Sequence, residues 1–425
     1  MKTTITKPVA LLILTIVVSK KKNIILFFLL LMCGVSKAQL LKNEEIEKAF
    51  DNAATQLCYQ MCKVDSIRYE KQNLYLMPRS VEKNGTLRMV GIGDWCCGFY
   101  AGELWQMYQH KKDSFWCAQA VNNTWLLERV KVNTNTHDIG FMIYNSFGKA
   151  AEILDKQAYK DVVVMAAQSL ASRYDSRVGC IRSWSWGTPK RWKFAVIIDN
   201  MVNLELLFAA SKITGDQRFY DIAVSHADKT LKNHFRPDGS SYHVVDYNPE
   251  NGSVIKKITH QGLFDESVWS RGQAWGLYGF TMCYRYTKNP TYLAQAQKIA
   301  DFWFSQPDMP DDLVPYWDMR DSVIKKVNNN CPRDVSAAAI IASALYELST
   351  FVNNNDSKRY RSYADKIIHS LITFYSAKPL TFQGFLLLHS VGNYPAQDEI
   401  DVPINYADYY FLEALNRAQN LRRKR

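Results

Sequence analysis

Two aspartates stand where an apolar helical pattern begins. Asp138 lies in "TNTHDIGFMIYNSFG" (residues 134–148), directly after His137 and before Ile139, Phe141, Met142 and Tyr144. Asp199 lies in "FAVIIDNMVNLELLF", between one apolar run and a helical pattern of Met201, Leu204, Leu207 and Phe208. Each has an ordinary reading, because a carboxylate at a helix start accepts the first free N–H groups. Each also has a chemical reading. Asp199, with apolar neighbours on both sides, is partly buried, and burial disfavours its ionised form. A second carboxylate nearby acts in the same direction, whereas helix dipoles favour ionisation. Two acids at helix starts that face one cleft can therefore do general acid/base work.

The densest polar stretch is "THQGLFDESVWSRGQAWGLYGF", residues 259–280. Trp269, Arg271, Gln273 and Trp275 alternate where a helix begins. Arg271 offers a planar fork suited to a carboxylate; its structural alternative is an ion pair with Asp265 or Glu266. His260 and Gln261 add neutral hydrogen-bonding groups. His243 in "SSYHVVDY" is a site residue or a satisfied loop histidine. Trp95 in "GIGDWCCGFYAGELW" and Trp184 in "RSWSWG" suit core packing and sugar stacking equally.

These residues need a frame, and the frame reads as all-α. Almost no stretch alternates with period two; helical periods recur between Gly, Pro, Asn and Asp loops. Twelve helices are predicted, at 43–62, 98–110, 114–131, 138–153, 155–172, 199–213, 217–234, 269–287, 291–305, 333–351, 357–376 and 405–420. Four segments resemble one another: "DKQAYKDVVVMAAQSL", "GDQRFYDIAVSHADKTL", "KNPTYLAQAQKIADFWF" and "DSKRYRSYADKIIHSL". Their tyrosines (159, 220, 292, 360) stand 61, 72 and 68 residues apart. A repeated helical hairpin implies an array of six units, open or closed. In a closed toroid alternate helices start at one rim, which would bring Asp138 and Asp199 together. Two long loops, 174–198 with three tryptophans and 235–268 as an irregular hairpin, interrupt the array where sites tend to sit.

The 425 residues carry a formal charge of +11 and 13% aromatic residues. Six of the lysines and no acid fall in residues 1–38, so loss of that segment leaves +5. No basic stripe with interleaved aromatics is present, which argues against nucleic-acid binding; the mild excess suits an anionic glycan. Residues 1–38 read as an export signal: lysines, the apolar run Ile24–Met32, then Ser36-Lys37-Ala38 before a cut ahead of Gln39. The run is too short for a stable membrane span. The mature domain is then 39–425, periplasmic, either free or tethered by a lipid on Cys33. The eight cysteines that remain are read as buried free thiols, with no zinc spacing.

"NTHDIGF", "IIDNMVNLELLF", "RPDGSSYHVVDYNPENG", "THQG", "WSRGQAWGLYGF" and "YADYYFLEAL" together resemble glycoside hydrolase family 88, the unsaturated glucuronyl hydrolases, in order from about residue 90 to 415. The resemblance implies a single (α/α)6 barrel. It implies a substrate left by a polysaccharide lyase, an oligosaccharide ending in a 4,5-unsaturated uronic acid, from chondroitin, hyaluronan or heparin. By residue matching, Asp199 takes the general acid/base position and Asp138 that of the second essential acid. His137, Trp184, His243, His260, Gln261, Arg271, Trp275 and Trp95 match substrate-contact positions. Cys96-Cys97 departs from the small polar residues expected after Trp95. The implied reaction protonates C4 of a vinyl ether and adds water at C5; it needs no metal or cofactor. Rival readings are an unsaturated rhamnogalacturonyl hydrolase acting on pectin fragments, a non-catalytic glycan-binding toroid, and a polysaccharide lyase on the same fold.

Overall fold

Helices that are apolar on every side must be surrounded by other helices. "VSAAAIIASALYEL" is such a sequence, as is "CGFYAGELWQM", and both form helices with no exposed face. The computed structural model describes residues 41–188, 190–320 and 331–423, and within them the fully apolar helices are the inner ring of a barrel. In chain order the helices are α1 (Asn43–Glu70), α2 (Cys97–Lys111), α3 (Ser114–Trp125), α4 (Lys149–Leu154), α5 (Gln157–Ala171) and α6 (Asn200–Thr214). Then follow α7 (Gln217–Asn233), α8 (Ser270–Thr287), α9 (Pro290–Phe304), α10 (Val335–Leu348), α11 (Asn354–Ser370) and α12 (Asn405–Arg423). A π-helical stretch, Gly140–Gly148, runs directly into α4.

The inner ring passes from α2 to the π-helical stretch, then α6, α8, α10 and α12, and α12 packs back on α2. That contact decides between the two arrays: the toroid is closed, an (α/α)6 barrel. The outer helices α3, α5, α7, α9 and α11 pack behind the ring, α5 against both the π-helical stretch and α6. The four related segments are four of these outer helices. Their first-turn tyrosines tie neighbours together: Trp125 donates to Tyr159 Oη at 3.2 Å, and Tyr292 donates to Asp228 at 2.7 Å. Close approach within the ring needs glycine. A Cβ on Gly98 would collide with the carbonyls of Phe141 and Met142, and one on Gly279 with Met201.

At the C-terminal end of the inner helices the barrel is plugged by a cluster of paired charges, in which Glu205 and Glu413 are buried. Lys149, Arg285 and Arg417 meet Glu152, Glu205, Glu347 and Glu413, with Arg285–Glu205 and Arg285–Glu347 each at 2.7 Å. Buried ions persist only when paired in this way.

The opposite rim carries nine short strands among the described residues. β1 (Leu76–Val81) pairs with β2 (Leu87–Gly91), and β3 (Tyr174–Asp175) with β4 (Cys180–Ile181). β5 (Ala195–Ile197), β6 (Val244–Tyr247) and β7 (Val254–Ile258) form one antiparallel sheet, with Ala195 opposite Asp246 and Val244 opposite Ile258. β8 (Ser390–Asn393) pairs with β9 (Asp398–Val402). The expected irregular hairpin at 235–268 is thus β6–β7. The β8–β9 hairpin was not anticipated, although two short runs around "NYPAQ" are a turn signal. The predicted helix 114–131 breaks at Trp125, where Glu128–Val132 forms a 3-10 turn.

No disulfide joins the described cysteines; Cys96, Cys97, Cys180 and Cys283 are buried, as expected, but Cys58 and Cys62 are exposed and Cys117 and Cys331 half-buried. The export segment and Cys33 lie outside the described residues.

Candidate active site

The rim opposite the charged plug gathers the N-terminal ends of the inner helices around one cleft of about 240 Å³. Trp95 precedes α2, His137 and Asp138 precede the π-helical stretch, Asp199 sits at the start of α6, Arg271 opens α8 and Tyr406 opens α12; all line it. Their dipoles present positive ends to whatever enters, which favours an anionic ligand. The remaining wall comes from Trp184 and Trp186, from His260 and Gln261, from Arg79, and from Gly392, Asn393 and Asp398 of the β8–β9 hairpin.

The capping reading of both aspartates is corrected by the geometry. True side-chain caps in this fold are Asp113, Asp216, Asn289, Asp334 and Asn353. Asp199 occupies an N-cap position but makes no cap hydrogen bond; its Oδ2 is shut off from solvent and unpartnered. Asp138 accepts from Thr136 Oγ1 at 2.7 Å instead of from its helix. The helix start it was expected to cap is served from outside, because Phe141 N donates to Asn203 Oδ1 of α6 at 2.8 Å. Both carboxylates are therefore released from structural duty and turned to the cleft.

Burial pushes the Asp199 carboxyl up to about 7; the nearby Asp138 carboxylate adds to that rise and the Arg271 guanidinium opposes it. A carboxylic acid that holds its proton near neutral pH can donate it and later take one back. His243 Nδ1 accepts the backbone N–H groups of His260 and Gln261, both at 3.1 Å. That fixes the ring's proton on Nε2, which faces Asp199 Oδ2 at 3.9 Å. Burial, then the charge of His260, holds His243 well below the usual imidazole range, so the ring is a neutral donor. His137 Nε2 lies 3.3 Å from Asp138 Oδ1, and burial lowers this imidazole too. Burial, then Arg191, brings His260 down to about 4.

Aromatic faces supply the walls. Trp184 lies 4.9 Å from Trp186 and 5.2 Å from His260. Trp95 packs at 5.0 Å on Tyr406. Trp186 is 46% exposed, leaving a free face for a sugar ring.

Two expected contact residues carry structural duties. Arg271 is engaged on one side of its guanidinium: Nη1 bonds Asp334 at 2.9 Å and the Val391 carbonyl, and Nη2 bonds the Gly392 carbonyl. Its partner is Asp334, neither Asp265 nor Glu266. It lines the cleft as a clamp that holds the β8–β9 hairpin against α8 and α10. Trp275 does not reach the cleft; it is fully buried, 5.0 Å from Phe141 and 5.3 Å from Tyr410. One turn beyond Arg271, its side chain points into the barrel rather than over the rim. Gln261 reaches the same hairpin through Gly392 O at 3.2 Å. Cys96, where a small polar residue was expected, is buried with Sγ 2.9 Å from Asp94 Oδ1.

Sequence reasoning did not single out Arg79, Trp186, Tyr406 or Asp398. Trp186 and Tyr406 lay in quoted stretches, but Arg79 and Asp398 sit on hairpins whose place at the rim only the closed barrel determines. Arg79 is held by Asp94 and Glu399, each at 2.7 Å. No group of three or more His, Cys, Asp or Glu suited to a metal ion occurs among the described residues.

Comparison with known proteins places this geometry in context. The description Glycosyl Hydrolase Family 88 matches residues 68–415. An unsaturated glucuronyl hydrolase of Formosa agariphila is 47% identical over 82% of this chain and 84% of its own. An unsaturated chondroitin disaccharide hydrolase of Streptococcus pyogenes serotype M1 is 32% identical over 90% of this chain and 93% of its own. Among solved structures, an unsaturated glucuronyl hydrolase specific for heparin superposes with a TM-score of 0.83 at 41% identity, covering 90% of this chain and 99% of that one.

Proposed function

The chain belongs to glycosyl hydrolase family 88 and is a glycosidase, and from that premise we propose how its cleft releases a 4,5-unsaturated glucuronic acid from the non-reducing end of glycosaminoglycan fragments. The observation that carries the reading is the Asp199 carboxyl, unpartnered, sheltered and held near 7 inside an aromatic-walled cleft.

Ordinary glycoside hydrolysis uses two carboxylates to support an oxocarbenium ion formed as the glycosidic bond breaks. The unsaturated sugar offers an easier route, because its C4=C5 bond is a vinyl ether. Asp199 gives its proton to C4. The C4=C5 electron pair forms the new C4–H bond, and positive charge develops on C5 and the ring oxygen. Water adds to C5, and the Asp199 carboxylate takes a proton from that water, so the acid is restored. The resulting hemiketal opens, the released C1 centre expels the aglycone, and one water has been consumed in all. Asp138, fixed by Thr136 and next to His137, orients the water and sustains the proton on Asp199. The neutral Nε2–H of His243 steadies the Asp199 carboxylate during the interval when it is charged. The five helix starts around the cleft favour the substrate's own carboxylate.

We further propose a cut before Gln39 and delivery to the periplasm; the mass of the mature N-terminus tests the cut, and cell fractionation tests the compartment. The activity is tested by a panel of unsaturated disaccharides from chondroitin, hyaluronan, heparin and pectin, with and without sulfate, followed by loss of vinyl-ether absorbance. Turnover of the glycosaminoglycan members is expected. Turnover of the pectin fragment alone would favour the rhamnogalacturonyl reading. Binding without loss of absorbance would make the cleft a lectin, and a gain of absorbance from saturated chains would make it a lyase.

A further inference from the structure

The tryptophan wall of the cleft has a second side. Side chains alternate along residues 184–186: Trp184 and Trp186 face the cleft, while Ser185 faces another hollow of about 340 Å³. The segment before Asp138 is shared in the same way, with Thr134 lining the second hollow and His137 and Asp138 the first. Two arginines, Arg173 and Arg182, lie side by side there.

Their surroundings are unusual for arginine. Among the described residues no ion pair joins either of them to an acid. Arg173 donates only to neutral oxygens: the carbonyls of Arg182 at 2.8 Å, Thr134 at 2.6 Å and Ser183 at 3.1 Å, and Ser185 Oγ at 3.3 Å. Arg182 stacks over the Phe194 ring at 4.6 Å, and its Nε–H is shut off from solvent without a partner. The acid in the hollow, Asp175, is already engaged by Arg177 at 2.6 Å. Burial, then the adjacent Arg182 charge, brings Arg173 down to about 10. The Asp138 carboxylate offsets part of this from beyond the wall, but two like charges without an ion-pair partner in a partly desolvated hollow still repel each other. An anion between them would relieve that repulsion, and the planar guanidinium matches the oxygens of a carboxylate or sulfo group. The hydroxyls of Thr134 and Ser185 also line the hollow.

We infer that the Arg173–Arg182 hollow is an anion subsite for a sulfo or carboxylate group of the substrate chain, beyond the sugars held in the cleft. A glycosaminoglycan fragment longer than a disaccharide carries such groups at regular intervals, and the two hollows share a wall. The inference rests on the glycosaminoglycan reading above.

The test compares wild type, Arg182→Gln and Arg182→Lys on an unsulfated unsaturated disaccharide and a sulfated unsaturated tetrasaccharide, with sodium sulfate as a free-anion probe. Arg182→Gln is expected to raise KM for the tetrasaccharide by about fivefold or more and to leave the disaccharide unchanged. Arg182→Lys, which keeps the charge, restores most of the preference and covers the case in which Arg182→Gln fails to fold. Sodium sulfate should inhibit the tetrasaccharide competitively and spare the disaccharide. The inference is overturned if Arg182→Gln shifts both substrates alike or neither. It is also overturned if sulfate slows the disaccharide equally, because the hollow then takes a free anion that acts on the cleft. Absence of disaccharide turnover by wild type would instead sink the glucuronyl hydrolase reading.

Discussion

Replacing Asp199 by Asn should abolish turnover and at the same time stabilise the protein in alkaline solution. The carboxyl sits at about 7 in the fold against an ordinary 3.8. A group whose folded value is raised in this way holds its proton more tightly in the native state. Below about 3.8 it is protonated in both states and nothing is lost. As pH rises from there through 7, the unfolded chain gives up the proton more readily, and stability falls. At roughly 1.36 kcal/mol per pH unit the full difference is of order 4 kcal/mol above neutral pH. Asparagine has the same shape and cannot ionise, so it escapes that penalty. The assay is urea unfolding of wild type and Asp199→Asn at pH 5 and pH 8.5. The variant's advantage should grow between the two conditions by about 2 kcal/mol or more. Loss of vinyl-ether absorbance, followed on the same samples, should show a fall in kcat of at least about 100-fold. An advantage that is the same at both pH values would mean Asp199 is not held protonated, and near wild-type turnover would remove it from the mechanism altogether.

Three further outcomes follow from the same geometry. Wild-type kcat/KM should fall as pH rises through about 7, since the proton donor is then lost; a profile flat to pH 9 would contradict this. Arg271→Ala leaves buried Asp334 unpaired and unclamps the β8–β9 hairpin, so it should cost about 3–5 kcal/mol in denaturant unfolding; an unchanged midpoint would restore Arg271 as a free substrate ligand. Trp186→Ala, by contrast, removes an exposed face and should raise KM severalfold with stability unchanged within about 0.5 kcal/mol; unaltered KM would show that the face meets no sugar.

Much of the barrel was legible because its signals are local. A helix that is apolar all round, such as "VSAAAIIASALYEL", announces an inner position by itself. Four tyrosine-led segments announce a repeat, and they proved to be outer helices. The strands were harder to read. β3, β4 and β5 have two or three residues each, too short for a period of two to emerge.

The chain's order of residues determined the number and kind of helices, the two odd acids, and the aromatic surplus, since each depends on neighbours within a few positions. Ring closure, which joins α12 to α2 across some three hundred residues, is a tertiary fact, and so is everything that depends on it. It sets Asp138 beside Asp199 and denies both of them their caps. It pairs Arg271 with Asp334, and turns Trp275 inward while Trp186 faces out. Such assignments are made by competition among partners distant in sequence, and a one-dimensional pattern carries no record of which partner arrives.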